Sequence, residues 1–298
     1  MQNPFSRHIR GMKTFFGRLD PLNDYLFLKV MGEKGDEVQL LGFLNAALGR
    51  TGNDRIVSVE IIENKNLTPD FLGDKGSVLD VRAKLRDGTR VNIEVQLRKR
   101  SNFEKRSLFY WSREYTRGIK KGGKHHALPT VICINIIGFE FLETENYHTI
   151  FHLREDSENH LVLTDVLEIH FISMVKWKKL KGKDTANDPL HRWLAYFDKS
   201  SPPELVEEVV NMDTAIRAAN DRQVYVSGDE EAIRAYEMRE LAEWEWNNSL
   251  EYARDEGIAE GMKEGKIEIA RKLKAMGIPA EQINEATGLD LQVIEKLG

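Results

Sequence analysis

The stretch SVLDVRAKLRDGTRVNIEVQL, residues 77–97, constrains the fold more than any other part of the chain. Its two halves alternate apolar and polar residues with a period of two, as paired β-strands with one buried face do. Asp87-Gly88 marks the turn between them. A two-residue loop would set Asp80 against Val95 and polar residues against apolar ones throughout. A three-residue loop, Arg86-Asp87-Gly88 with a left-handed glycine, instead pairs Asp80 with Glu94, Arg82 with Asn92, Val81 with Ile93 and Leu79 with Val95. A buried face fixes register strongly, so the three-residue loop is the expected one.

That register has a chemical consequence. Directly opposed side chains have Cβ atoms roughly 4.5–5.5 Å apart, so the Asp80 and Glu94 carboxylates repel unless a cation lies between them. Gln96 shares their face. Two carboxylates beside an amide suit a hard cation such as magnesium, which takes oxygen ligands and is usually held by one or two carboxylates plus substrate phosphates. Alternatively, Arg82 and Arg90 neutralise the acids on a solvated face. The hairpin alone leaves both readings open.

The following segment adds weight to the first. Residues 103–121 read as a helix in which Arg106, Arg113, Arg117 and Lys120 fall on one narrow stripe, preceded by Arg98 and Lys99. Such a stripe suits a phosphate backbone held beside a metal that activates water. Tyr110, Trp111 and Tyr115 interleave with it and are expected to pack in the core.

The formal net charge of −5 hides an asymmetry. Between Arg82 and Lys124 there are 14 Lys and Arg against 4 Asp and Glu, whereas residues 201–298 hold 11 basic and 22 acidic residues. One segment can attract a polyanion while the tail keeps the chain soluble. The single cysteine, Cys133, lies in an apolar run and is expected in the core; its solitude excludes an internal disulfide framework and suits a reducing cytosol. No 18-residue apolar run occurs, and the start lacks the apolar centre of a signal peptide. The expectation is a cytoplasmic protein with no membrane association.

Two helices, LDPLNDYLFLKVM and EVQLLGFLNAALG, precede the strands, and TVICINIIGF, TIFHLRE and DVLEIHFISM follow the basic helix. This order implies a mixed sheet flanked by helices, an α/β or α+β domain. Residues 1–17 are expected to form an N-terminal arm and 18–200 the domain. Ser200-Ser201-Pro202-Pro203 would open an acidic helical region, 201–298. The last residues fit two short helices with Thr287-Gly288 as the turn, a helix-turn-helix-like pair. The acids in its second helix favour packing or a protein partner, including a second copy, over DNA reading.

Asp80 followed by Glu94-Val95-Gln96 on a hairpin between helices resembles the core of PD-(D/E)XK nucleases. A wider set, including LNDYLFLKVM, FEKRSLFYWSREYTRGIKKG, DVLEIHFISM and EGKIEIARKLKAMGIPAEQINEATGL, resembles the Rpn family of recombination-promoting nucleases, also described as transposases. The resemblance implies a restriction-endonuclease-like fold and a metal-dependent DNA endonuclease. Asp80 and Glu94 would hold Mg2+, or Mn2+, and Gln96 would take the place of the motif's lysine. On this resemblance Asp24 would match the acid on the first helix of the superfamily. Leu79 stands where the motif has proline. Glutamine brings neither positive charge nor a proton at neutral pH, so the general base stays open. The alternative is a nucleic-acid-binding or mobile-element accessory protein that keeps the fold without the chemistry.

His125-His126 reads as a surface turn, and His148, His152 and His170, which lack ligand spacing, as structural. No Gly-rich phosphate loop and no serine elbow occurs.

Overall fold

A computed structural model describes residues 18–35, 37–62, 80–99, 102–117, 119 and 124–297. Leu79, Lys120 and the expected N-terminal arm lie outside them. The chain opens with α1 (Asp24–Met31), whose Asn23 cap accepts hydrogen bonds from the amides of Tyr25 and Leu26, and α2 (Val38–Ala47). Three strands follow: β1 (Val59–Ile62), β2 (Asp80–Leu85) and β3 (Arg90–Gln96). Helix α3 (Phe103–Thr116) leads to β4 (Val131–Ile137), β5 (His148–Arg154) and β6 (Val162–Ser173). The remaining helices are α4 (Met174–Lys179), α5 (Pro189–Phe197), α6 (Pro203–Met212), α7 (Thr214–Gly228), α8 (Glu230–Ala275), α9 (Ala280–Thr287) and α10 (Leu291–Lys296).

The strands form one mixed sheet in the order β1-β2-β3-β4-β6-β5. The first three are antiparallel; β3, β4 and β6 are parallel, and β5 returns antiparallel along β6. The β2–β3 register is the one the apolar pattern demands, with Asp80 opposite Glu94 and Val81 opposite Ile93. Gly88 adopts φ +95°, the left-handed conformation the three-residue loop requires, and its amide donates to the Leu85 carbonyl at 3.0 Å.

Each sheet face has its own core. Val81, Val91, Ile93, Ile132 and Ile134 pack with Leu26, Phe43, Trp193, Phe197 and Ile216 from α1, α2, α5 and α7. A Cβ on Gly42 would stand 2.2 Å from the Ala215 Cβ, so only glycine permits this approach of α2 to α7. On the opposite face Val131, Cys133, Ile169 and Phe171 pack with Phe103 of α3 and Phe139, while Trp111 and Tyr115 lie half-buried against them.

The break expected at Ser200–Pro203 is not where the first compact unit ends. That unit continues to Glu240, because Val209, Ile216, Ala219 and Val226 of α6 and α7 complete the first core. Pro202 and Pro203 merely start α6, where proline's fixed φ suits the first turn. The second unit, Leu241–Gly298, has a small core of Ala270, Ile283 and Ile294. There α9 and α10 meet at Gly288 (φ +66°), and Lys274 Nζ donates to the carbonyls of Ile294, Glu295 and Leu297. No helix among the described residues is long and apolar enough to cross a membrane.

Candidate active site

Parallel pairing of β3 with β4 and antiparallel pairing with β2 bring Asp80, Arg82, Asn92, Glu94, Gln96 and Asn135 onto one sheet face. This face is not solvated. Helix α3 covers it, leaving Glu94 2% and Gln96 6% exposed, while the Asp80 side chain keeps 30% at the edge. The polar half of the alternation in β3 therefore marks a second buried surface.

Arg106 is what makes that burial tolerable. Its Nη2 donates to Glu94 Oε1 in a short charge-assisted contact and to Gln96 Oε1 at 3.0 Å. Gln96 Nε2 in turn donates to the Arg98 carbonyl at 3.0 Å. Both ends of the glutamine are thus committed, and its role is to hold the guanidinium beside Glu94. The Arg106 guanidinium also lies over the Tyr110 ring, 5.4 Å from its centroid.

The expected basic stripe divides. Arg106 turns inward to the sheet, and Arg117 pairs with Glu114 on its own helix. Arg113 is exposed, lying over Phe109, and Arg98 and Lys99 are exposed beyond β3. Glu114, which the sequence reading passed over, is buried and also faces Arg82 at 3.6 Å and Arg90 at 3.5 Å. An acid within the basic stretch of the helix, one turn before Arg117, was the available signal. Burial, then the nearby charges of Glu94, Glu114 and Asp80, push the Cys133 thiol well above its ordinary value.

Asp24 sits elsewhere in its bonding. Its Oδ2 lies 2.8 Å from Nη2 of Arg239, a fully buried side chain on α8, and both its oxygens accept from Arg239 Nε. The acid expected beside the metal is engaged in tying α1 to α8.

Among the described residues no group of three or more His, Cys, Asp or Glu is placed to hold a metal ion. Opposed Asp80 and Glu94 offer two hard oxygen donors, which fits a cation that completes its shell with water and phosphate. The rest of this face supplies neutral amides, Asn92, Gln96 and Asn135, while its thiol, Cys133, is kept protonated by burial and nearby acids, so the set does not favour a softer metal.

No curated protein and no solved structure significantly matches the chain. Residues 21–253, spanning the whole sheet and the helices that pack on it, match the family described as PD-(D/E)XK nuclease family transposase, and the chain belongs to that family.

Proposed function

We propose that the protein is a divalent-metal-dependent DNA endonuclease that hydrolyses phosphodiester bonds in recombination, transposition or other mobile-element biology. The observation that carries this reading is the cross-strand opposition of Asp80 and Glu94 beneath a helix that delivers Arg106. Asp80 and Glu94 would hold Mg2+ or Mn2+. Bound there, the metal would lower the pKa of a coordinated water and neutralise charge at the scissile phosphate.

The chain's own contribution is electrostatic placement. Arg106 supplies a permanent cation next to Glu94, where the motif otherwise has a lysine on the strand. Gln96 orients that guanidinium through its carbonyl oxygen. The packing of α3 excludes water from Glu94, which strengthens each charge interaction on this face. Arg98, Lys99, Arg113 and Arg117 would contact flanking phosphates and set the register of the backbone without reading sequence. Lys120 belongs to the same proposal.

A non-catalytic DNA-binding role is the competing reading, favoured by one observation: Glu94 is already neutralised by Arg106. Supercoiled plasmid incubated with protein and Mg2+ or Mn2+ separates the two. Cleavage that is lost in EDTA and in Asp80→Ala and Glu94→Gln supports the nuclease. Cleavage equal in wild type and Asp80→Ala, or DNA retention without any cleavage, overturns it.

A further inference from the structure

The opposite face of the sheet holds a buried relay that the nuclease reading does not use. Glu168 and His170 stand in register with Ile132 and Ile134, on the α1–α2 side, away from Asp80 and Glu94. Glu168 Oε1 lies 2.6 Å from His170 Nε2, and His170 Nδ1 lies 2.8 Å from His148 Nε2. His170 is buried. His170 and its two partly buried partners, Glu168 and His148, thereby occupy a region that apolar residues could fill at equal or better stability.

The relay fixes both rings in place. The hydrogen bond from His170 holds the Glu168 carboxylate below its usual range, so Glu168 accepts from His170 Nε2. Burial and the neighbouring His170 keep His148 neutral, with its pKa pulled down to about 4. His148 Nε2 is taken up by His170 Nδ1, so His148 Nδ1 is the ring nitrogen that faces another partner.

His148 lines a cleft of about 620 Å3, within the size range of small-ligand sites. The cleft's acids are already engaged. Asp188 accepts from the amides of Leu190 and His191, and Asp213 from those of Ala215 and Ile216, as helix caps. Arg192 Nη1 donates to the carbonyls of Thr185 and Ala186 at 3.1 Å. Arg50 and Arg55 are exposed at the mouth, on the turn after α2 that Asn45 ties down through the Ile56 amide and carbonyl. Leu48, Tyr147 and Ile150 supply apolar wall. Two outward cations, one ring nitrogen and an apolar wall match a ligand with an anionic end, a hydroxyl and a carbon skeleton.

We propose that this cleft binds a small phosphomonoester bearing a hydroxyl, of the mononucleotide or sugar-phosphate kind, with its phosphate on Arg50 and Arg55 and its hydroxyl hydrogen-bonded to His148 Nδ1. The site is independent of the metal-dependent chemistry at Asp80 and Glu94.

Titration calorimetry of the full chain in EDTA tests it, with thymidine 5′-monophosphate, ribose 5-phosphate and inorganic phosphate as probes. Binding of either phosphomonoester at least about tenfold tighter than inorganic phosphate is the expected result, and whichever binds better identifies the source of the ligand. Arg50→Ala with Arg55→Ala should weaken that binding by at least about tenfold, through loss of charge-assisted hydrogen bonds. Asp80→Ala should leave it unchanged. The 15N resonance of His148 Nδ1 should shift as ligand is added. His148→Phe, which keeps an aromatic ring, tests the hydroxyl contact alone and should weaken phosphomonoester binding while leaving that of inorganic phosphate unchanged. Equal affinity for inorganic phosphate, no binding at millimolar concentration, or binding indifferent to Arg50, Arg55 and His148 overturns the proposal.

Discussion

Arg106 donates from one nitrogen, Nη2, to both Glu94 and Gln96, so the helix above the sheet and the strand within it share a single buried charge. A carboxylate that is 2% exposed cannot stay ionised there without a partner. The fold and the candidate chemistry therefore depend on the same contact.

Removing one partner should be worse than removing both. Arg106→Met takes the guanidinium away from the buried Glu94 carboxylate and should cost about 3 kcal/mol, as should Glu94→Ala for the opposite reason. Arg106→Met combined with Glu94→Gln should recover at least about half of that loss. Urea denaturation of the four proteins gives the cycle, and additive losses would show that the pair is not coupled.

Restoring the family's lysine should not help by itself. Gln96→Lys places an ammonium where Arg106 Nη2 now finds an acceptor 3.0 Å away, and the two cations repel. A loss of about 1–2 kcal/mol and no gain in plasmid cleavage are expected. Gln96→Lys with Arg106→Met should be more stable and more active than Gln96→Lys alone. Thermal melts and cleavage rates in Mg2+ read both.

Asp24→Asn distinguishes a metal ligand from a fold contact. Loss of the pair with Arg239, itself buried, should destabilise by about 3 kcal/mol. Mn2+ affinity, followed by the ion's paramagnetic broadening of NMR signals, should stay within about twofold of wild type, whereas Asp80→Asn should weaken it by tenfold or more. A fall in Mn2+ affinity equal to that of Asp80→Asn would return Asp24 to the metal site.

Truncation after residue 200 should abolish folding, because Val209, Ile216 and Ala219 leave the first core with it. Ending the chain after Asn247 should keep a cooperative unit that includes the Asp24–Arg239 pair. Circular dichroism and urea melts of the two truncated proteins compare them directly.

Acid should weaken the fold through His148. Its native pKa of about 4 lies below its ordinary value near 6.5, so the unfolded chain binds more protons between these pH values. Stability is then complete above about pH 6.5 and falls as pH drops toward 4. After allowance for solvent screening at this half-buried ring, the contribution is about 2 kcal/mol. His148→Phe should flatten that part of the pH–stability curve, and an unchanged slope would place the acid sensitivity elsewhere.

The alternation of SVLDVRAKLRDGTRVNIEVQL determined the hairpin, its three-residue turn and the Asp80–Glu94 register, because each apolar side chain needs an apolar partner and a one-residue slip inverts every face. Apolar runs and turn residues likewise marked the helices and strands, including β4 and β6. What alternation could not say is whether a polar face meets water or another element. That was decided by α3, which folds over β3 and turns Arg106, one position of an apparently uniform basic stripe, onto Glu94 and Gln96. The partners of Asp24 and His170, 215 and 22 residues distant, were beyond any local pattern as well. Periodicity records only which side of its own element a residue takes; a buried charge is placed by whatever the rest of the chain brings to meet it.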